Sequence, residues 1–303
     1  MRLWLCKEAI TPKGGIALIV NKYLRPATLG ECVEALAELG DEAVLLAGGT
    51  DLIPKMRQGK LSVQAVIDLS RIPELSRIEE GETGVTIGSM CRLRRLAKDA
   101  PFSGPLSVIS QCAGHVSSMQ VRNIATLGGN ICNASPAADT VPGLLLLDAA
   151  ALIFGKDGTR EVPLVDFFTG PGETVMGPCE VLTGVFVSYA PDNTGAAYLK
   201  YAIRGDTDIS IVGAGARLTL DADGRISDAR IALAAAGPTP LRMMREEQML
   251  TGMMPDDALF GEVAASCAES CCPVTDHRAS ESYRRDMVRL WVESALHGAV
   301  LRV

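Results

Sequence analysis

Apolar and polar positions in the first third of the chain follow the periods of short helices and strands. Residues 26–43, PATLGECVEALAELGDEA, carry apolar side chains at helical spacing after Thr28, which can cap the helix, and before Gly40, which can end it. Strand-like apolar runs follow at AVLLAGG (43–49), at QAVIDLSRI (64–72) and at the start of residues 83–99, which continue as a helix. The pattern predicts alternating α and β units.

The middle of the chain combines core segments with a long polar stretch. A helix is predicted near 106–112, a polar stretch rich in Gly, Asn, Ser and Pro follows, and the apolar residues 143–155 form a helix or a pair of strands. A polar loop of this length between core segments is uncommon unless it has a function, so its residues are candidates for a binding site. Residues 180–189 alternate as a strand.

The turn cluster APDNTG at residues 190–195 is the predicted domain boundary. Beyond it, strands of period two join through the hairpin turn DADGRI at 221–226, and helical patterns fill the tail from about residue 245. An antiparallel sheet followed by helices indicates a separate α+β domain. The predicted domains are residues 1–192, with subdomains of about 1–72 and 73–192, and residues 195–303.

Composition and charge exclude several classes of function. The chain has 303 residues, 48% of them hydrophobic, but no uninterrupted apolar run long enough to span a membrane. Lys7 and Glu8 break the apolar start of the chain before it can serve as a signal sequence, so we expect a soluble cytoplasmic protein. The net charge of -7 and the lack of a long basic stripe argue against binding of nucleic acid.

The cysteines and histidines favour a reduced protein without a metal site. The nine cysteines are scattered and odd in number, which is typical of buried, reduced thiols. The cluster CAESCC at 267–272 has no second Cys or His pair at ligand spacing, so a helical core segment is the simpler interpretation. Because the only histidines are His115, His277 and His297, a multi-histidine metal centre is not expected.

The first candidate for chemistry is AGGTD at 47–51, here named the first glycine segment, which follows a predicted strand. Gly48 and Gly49 allow positive φ and close approach of a ligand, and successive N–H groups in such a turn bind anionic oxygens. Thr50 can add a hydroxyl donor. The absence of a lysine inside the segment and the presence of Asp51 argue against a P-loop and fit a diphosphate held by neutral donors. Taken alone, the segment fits an ordinary tight turn equally well.

A second glycine segment, TLGGN at 126–130, changes this balance. Gly128 and Gly129 are expected to offer backbone donors, and hydroxyl, amide and carboxylate side chains follow as far as Asp139. A dinucleotide has a central diphosphate with polar ribose-like units on both sides, so two glycine segments from neighbouring units can hold it along its length. Neither segment contains the pattern G-x-G-x-x-G, so a doubly wound nicotinamide site is not indicated.

The two segments together resemble those of a known family. AGGTDLIP and QVRNIATLGGNICNASPAAD are similar to sequences in the FAD-binding medium subunits of the xanthine dehydrogenase and carbon monoxide dehydrogenase family of molybdenum hydroxylases. The resemblance covers about residues 22–303 and includes FFTGPGETV, EVLTGVFV, YLKYAIRGDTDISIV and DHRASESYRRDM. It implies an α+β fold: a two-part PCMH-type, vanillyl-alcohol-oxidase-like FAD-binding domain and a C-terminal α+β domain with a three-stranded antiparallel sheet and helices. The first 20 residues match nothing.

The resemblance also implies roles for single residues. Both glycine segments would enclose the FAD diphosphate, Asn133 and Asp139 would bind polar parts of the cofactor, and Leu182 would pack on the flavin ring. Lys200 would reach the polar edge of the flavin, where a cation stabilises negative charge on the reduced ring. No residue is expected to be catalytic or to bind a metal. The implied cofactor-binding residues are Leu45, Leu46, Ala47, Gly48, Gly49, Thr50, Asp51, Leu52, Ala125, Thr126, Leu127, Gly128, Gly129, Asn130, Cys132, Asn133, Asp139, Leu182 and Lys200.

The function implied by the resemblance is electron transfer. Hydroxylation would take place at a molybdopterin centre on a large subunit, and electrons would pass through two [2Fe–2S] clusters of a small subunit into this FAD and on to an acceptor such as NAD. The chain lacks the cysteine spacing of such clusters, so we expect it to act in a heterotrimer that is itself doubled. The sequence is silent on the organic substrate and on the choice of NAD, ferredoxin or quinone.

Three other interpretations stay open at this point. An enolpyruvyl-sugar reductase has a related flavin fold but a different C-terminal domain. A covalent-flavin oxidase would tether FAD through a His or Cys, for which His115 is the candidate in the flavin half. An orphan flavin-binding or assembly module would have the same cofactor site and no partner subunits.

Overall fold

The computed structural model describes residues 20–303. The start of the predicted domain 1–192, to which the sequence assigns no role, therefore lies outside the described residues. Residues 20–303 form four β-sheets and ten α-helices around three clusters of buried hydrophobic side chains. Of the helices described, none is both long and apolar enough to cross a membrane.

The first unit is a small parallel sheet with two helices. Its elements are β1 (Lys22–Leu24), α1 (Leu29–Leu39), β2 (Ala43–Leu46), α2 (Leu52–Arg57) and β3 (Ala65–Asp68), with the strands in the order β1-β3-β2. The helix predicted within 26–43 is confirmed: Thr28 Oγ1 accepts a hydrogen bond from the Glu31 N–H at 3.2 Å, and Gly40 follows the helix with a φ of 52°. The first glycine segment connects β2 to α2.

The second unit is an antiparallel sheet covered by helices. Its strands are β4 (Ile78–Glu80), β5 (Gly84–Gly88), β6 (Ala150–Gly155), β7 (Gly158–Pro163), a hairpin of β8 (Phe168–Gly170) and β9 (Glu173–Thr174), and β10 (Val181–Ser188). Its helices are α3 (Leu93–Lys98), α4 (Ser107–Gly114), α5 (Met119–Arg122), α6 (Leu127–Cys132) and α7 (Thr140–Leu146). The main sheet has the order β4-β5-β10-β6-β7. The elements predicted in 83–99, 106–112 and 180–189 are confirmed, and residues 143–155 prove to be the end of a helix followed by a strand.

The polar stretch after α4 is not the long loop that the sequence predicts, because it contains two short helices. Ser118 Oγ accepts a hydrogen bond from the Val121 N–H at 3.3 Å where α5 begins, and Thr126 Oγ1 accepts one from the Gly129 N–H at 3.1 Å where α6 begins. Each hydroxyl satisfies a donor for which the first helical turn has no internal partner. The second glycine segment is therefore the N-terminal turn of α6.

The third unit is an antiparallel sheet followed by helices, which confirms the α+β architecture. Its elements are β11 (Thr194–Tyr201), β12 (Val212–Leu220), β13 (Ile226–Ala234), β14 (Leu241–Arg242), α8 (Met244–Leu250), α9 (Asp257–Ser270) and α10 (Glu281–Val300). The sheet has the order β11-β12-β13-β14, so it has four strands and the predicted number of three is wrong. The fourth strand escapes sequence patterns because two residues are too few to show an alternation.

The C-terminal sheet packs directly against the second unit. Tyr198 on β11 and Ala232 on β13 belong to the same buried cluster as Leu144 on α7. The contact also carries an ion-pair cluster in which Asp148, in the turn between α7 and β6, faces three arginines of the C-terminal sheet: Arg217, Arg230 and Arg242. Strand β11 itself packs against the second unit through Tyr198.

Candidate cofactor-binding site

A cavity of about 750 Å³ is bordered by all three units. Both glycine segments form part of its wall, together with Leu182 on β10 and Lys200 on β11. Apolar side chains also line it, among them Leu36, Leu45, Leu61, Leu69 and Val181. A concave site of this size with an apolar lining and a few polar groups is typical of sites for large organic cofactors.

The two glycine segments lie directly against each other at this wall. A Cβ atom at Gly48 would lie 2.4 Å from the carbonyl oxygen of Ile124 and 2.9 Å from Cα of Ala125, so the close packing requires glycine. A Cβ atom at Gly129 would lie 3.7 Å from Cβ of Ala47. The structure thus brings together, from two separate units, the two segments that the sequence singles out.

The first glycine segment presents unused backbone donors to the cavity. Gly49 has a φ of 71°, a left-handed conformation that favours glycine. Among the described residues, no acceptor is hydrogen-bonded to the backbone N–H groups of Gly48, Gly49 and Thr50. All three residues border the cavity, so these groups can donate to the oxygens of an anionic ligand.

The expectation that Gly128 and Gly129 offer free donors is wrong. The Gly128 N–H donates to the carbonyl oxygen of Ser89 at 2.7 Å, and the Gly129 N–H donates to Thr126 Oγ1 at 3.1 Å. Glycine at 128 is instead needed for packing, because a Cβ atom there would lie 2.5 Å from Cβ of Ser89. The first turn of α6 is therefore satisfied within the protein, and the second segment supports the wall rather than donating from it.

Most residues that the resemblance implies for the site border the cavity. They are Leu45, Ala47, Gly48, Gly49, Thr50, Asp51, Leu52, Ala125, Thr126, Gly128, Gly129, Asn130, Cys132, Asn133, Asp139, Leu182 and Lys200. The two exceptions are Leu46, which pairs with Asp68 in the parallel sheet, and Leu127, which is buried in the main hydrophobic cluster. Both leucines therefore support the glycine segments from behind.

Lys200 and Asp139 form a buried ion pair beside the cavity. Lys200 Nζ lies 2.8 Å from Asp139 Oδ2 and also donates to the carbonyl oxygen of His115 at 2.9 Å. Asp139 Oδ1 accepts hydrogen bonds from Ser210 Oγ at 2.7 Å and from Tyr198 Oη at 3.0 Å. Burial and then the charge of Asp139 raise the pKa of Tyr198 well above its usual value, so its hydroxyl stays protonated and donates.

Two polar residues of the cavity wall, Ser89 and Lys55, are not among the site residues expected from the sequence. Ser89 is 4% exposed, and its Oγ has no hydrogen-bond partner among the described residues. Lys55, on α2, donates from Nζ to Asn133 Oδ1 at 2.9 Å. Its position four residues after Asp51, one turn along a helix, is a signal that could have identified Lys55. Nothing in the sequence distinguishes Ser89 from a serine in an ordinary turn.

Other candidate groups lie away from the cavity. His115, the candidate for a covalent tether, is not part of the wall, and its ring packs edge-on against Tyr198 with 5.8 Å between centroids. Cys267 on α9 and Cys271, which directly follows it, are buried in the C-terminal hydrophobic cluster, whereas Cys272 is exposed, so the helical-core interpretation of CAESCC holds for Cys267 alone. Within residues 20–303, no group of three His, Cys, Asp or Glu side chains could hold a metal ion.

The donors and the lining fit a flavin dinucleotide. The anionic diphosphate of FAD suits the backbone N–H groups of the first glycine segment, and its two ring systems suit an apolar wall with polar positions. The hydroxyl of Ser89 is buried and unpartnered among the described residues, and such groups in folded proteins usually contact a ligand or an ordered water.

Two family models together match most of the chain. The model described as the FAD binding domain in molybdopterin dehydrogenase matches residues 18–189, and the one described as the CO dehydrogenase flavoprotein C-terminal domain matches residues 197–299. The second match lies in the part of the chain where an enolpyruvyl-sugar reductase would have a different domain. The comparison therefore favours the dehydrogenase relationship.

Individual proteins show the same similarity. The xanthine dehydrogenase FAD-binding subunit of Escherichia coli O157:H7 is 32% identical over 280 residues, which are 92% of this chain and 95% of that protein. Carbon monoxide dehydrogenase from Hydrogenophaga pseudoflava has a similar structure, with a TM-score of 0.89 and 32% identity, over 92% of this chain and 97% of that chain. Quinoline 2-oxidoreductase from Pseudomonas putida 86 has a TM-score of 0.86 and 27% identity, over 92% and 96%.

Proposed function

The chain belongs to the FAD-binding medium subunits of the xanthine dehydrogenase and carbon monoxide dehydrogenase family, and from this premise we propose that it relays electrons inside a larger molybdenum hydroxylase. FAD is its cofactor, and its relatives are subunits of oxidoreductases. FAD supplies a group that takes up electrons singly and releases them in pairs. The task of the protein is to hold, orient and tune that group.

In the proposed arrangement, the FAD diphosphate lies on the first glycine segment. The N–H groups of Gly48, Gly49 and Thr50 donate to its oxygens, and Ser89 Oγ donates to a further polar atom of the cofactor. The second glycine segment packs behind this contact and excludes water from it. The cavity volume, the unpartnered donors among the described residues and the contact between the segments support this arrangement.

The proposed flavin end of the cavity is marked by Leu182 and by the Lys200–Asp139 pair. Leu182 is 3% exposed and offers an apolar surface on which the flavin ring can pack. Lys200 stabilises negative charge that develops on the reduced ring, and Asp139 offsets part of that effect. Because both side chains of the pair are buried, solvent screens their field little.

The proposal extends to partners. Relatives named as a FAD-binding subunit and as a medium chain are parts of larger enzymes. We assign to this chain a small subunit with two [2Fe–2S] clusters as electron donor, a large molybdopterin subunit that oxidises the organic substrate, and an acceptor such as NAD. The proposed assembly is a cytoplasmic dimer of heterotrimers. The proposed domain boundary between residues 192 and 195 is supported by the start of β11 at Thr194.

The position of both glycine segments on the wall of one cavity carries the proposal, and the contacts of Gly48 with Ile124 and of Ala47 with Gly129 hold the segments there. The test is affinity purification of the tagged chain from its native host, with measurement of FAD, iron and molybdenum. We expect acid-extractable FAD, together with iron and molybdenum in fixed ratio to it. FAD without either metal would favour the orphan module, FAD that stays attached after denaturation would favour a covalent flavoenzyme, and absence of FAD would refute the site.

A further inference from the structure

We infer that Lys55 offsets part of the negative charge of the FAD diphosphate and so strengthens binding of the cofactor. The inference rests on the proposed placement of the diphosphate on the first glycine segment. Lys55 lies outside both glycine segments, yet it borders the same cavity. The sequence suggests a site held by neutral donors alone, and the structure adds a cation to it.

Lys55 stands apart from most charged side chains of the cavity wall because it has no ion pair among the described residues. Its hydrogen bond to Asn133 Oδ1, at 2.9 Å, is to a neutral group, so its charge is not offset there. Asp51 also borders the cavity without an ion pair to a described residue. The remaining charged side chains of the wall are paired: Lys200 with Asp139, Glu180 with Arg160, and Asp208 with Arg204.

The first glycine segment leads directly into helix α2, which carries Lys55, and both border the same cavity. In an α-helix, Cα–Cβ bonds tilt towards the N-terminus, so the side chain of Lys55 extends back over the turn that the segment enters. Its Nζ reaches Asn133, the residue that directly follows α6. The side chain of Lys55 therefore connects α2 to the C-terminal end of α6 along the cavity wall.

The chemistry of the ammonium group suits a diphosphate. Lysine offers three N–H donors, and Asn133 uses one of them. Hydrogen bonds between an ammonium group and phosphate oxygens are charge-assisted and stronger than those from neutral donors. Because Lys55 is exposed to solvent, salt should screen its contribution more than that of the buried Lys200–Asp139 pair.

The experiment compares three variants of the apoprotein. Lys55→Gln removes the charge, Lys55→Arg keeps it, and Lys60→Gln is the matched control, because Lys60 is an exposed lysine outside the cavity wall. Affinities for FAD and for ADP, which carries the adenosine diphosphate half alone, are measured by calorimetry at low and high KCl. At low salt we expect K55Q to bind both ligands about 5- to 20-fold more weakly, with K55R within about threefold of wild type and K60Q unchanged. At high salt the loss in K55Q should shrink.

The outcomes separate this inference from the proposed function. If K55Q binds FAD as tightly as wild type does, and likewise ADP, the inference is wrong but the proposed site is unaffected. If wild type binds neither ligand, the proposed site itself is refuted. If Lys55 only offsets the charge of Asp51, the double variant D51N/K55Q should bind FAD and ADP with wild-type affinity. A diphosphate contact predicts that this double variant binds ADP more weakly than D51N alone.

Discussion

Lys200 Nζ lies 2.8 Å from Asp139 Oδ2, although the two residues are 61 positions apart and belong to different units of the fold. The side chains are 2% and 8% exposed, so each charge depends on the other to replace the water it has lost. Strand β11 carries Lys200, and the N-terminal end of α7 carries Asp139. The stability of the contact between units and the electrostatics of the cavity therefore depend on the same two groups.

Substitution of Lys200 alone should destabilise the protein. Lys200→Met leaves the Asp139 carboxylate buried without its cation, and we expect the free energy of unfolding in urea to fall by about 3–5 kcal/mol. The double variant D139N/K200M removes both charges and should recover most of that loss. If Lys200 also tunes the flavin, redox titration should give a more negative flavin midpoint potential in D139N/K200M than in D139N. Because D139N/K200M also removes the opposing charge of Asp139, it is compared with D139N, and equal potentials in these two variants would contradict the proposed role of Lys200.

Removal of the Ser89 hydroxyl should weaken FAD binding without harming the apoprotein. Its Oγ is buried and has no partner among the described residues, so Ser89→Ala should leave apoprotein stability unchanged or raise it by about 1 kcal/mol, while FAD affinity falls about 3- to 10-fold. Ser110→Ala is the control, because Ser110 Oγ donates to the Leu96 carbonyl at 2.8 Å away from the cavity wall. It should lower stability and leave FAD affinity intact. Unchanged FAD affinity in S89A would remove Ser89 from the site.

The features that sequence patterns predict correctly are local ones. The caps at Thr28 and Gly40 directly flank the eleven residues of one helix, so this short stretch of sequence contains everything that sets its ends. The glycine segments are likewise short, and their chemistry follows from missing Cβ atoms. Their contact with each other is not local: the two patterns suggest one shared dinucleotide site, and the resemblance to a family favours it, but neither gives the contact itself.

The features that sequence patterns miss depend on contacts between distant residues. The sequence predicts a free donor at Gly128, but its N–H donates a hydrogen bond to the carbonyl oxygen of Ser89, which directly follows β5. The pairing of Lys200 with Asp139 has no periodic signal, because it is created by the packing of two units. Such contacts decide which groups remain available for a ligand.

A single methyl group at Gly48 should push the first glycine segment away from the residues that directly precede the second one. In Gly48→Ala the new Cβ would meet the Ile124 carbonyl oxygen at 2.4 Å, so backbone must move, and we expect a loss of about 1–3 kcal/mol in stability and more than about tenfold in FAD affinity. Gly261→Ala, inside α9 with no atom within 4 Å of the new Cβ, should instead stabilise by about 0.5–1 kcal/mol. Fluorescence titration of FAD checks both variants, and wild-type affinity in G48A would show that the segments need not touch.

The ion-pair cluster around Asp148 should make the docking of the C-terminal sheet dependent on pH. Asp148 Oδ2 lies 3.0 Å from Arg230 Nε, and Asp148 Oδ1 lies 2.9 Å from Arg242 Nη1. Burial acts to raise the pKa of Asp148, but Arg242 and the neighbouring arginines outweigh it and hold that pKa below its usual range. A carboxylate with a lowered folded-state pKa contributes stability above its unfolded-state pKa of about 3.9, and that contribution is lost as the pH falls through the folded-state value.

Asp148→Asn tests this contribution with little change to the backbone, because Asp148 has a φ of 50° and asparagine tolerates that conformation. The side chain is 46% exposed, so solvent screens the cluster, and we expect a loss of about 1 kcal/mol at neutral pH in urea unfolding. The difference from wild type should shrink below about pH 4, because there the unfolded state of the wild type takes up a proton at Asp148 before the folded state does. Asp148→Ala, which adds strain at positive φ, should lose about 1 kcal/mol more at every pH. A loss in D148N that stays constant down to acid pH would mean that shape, not charge, sets the contribution of Asp148.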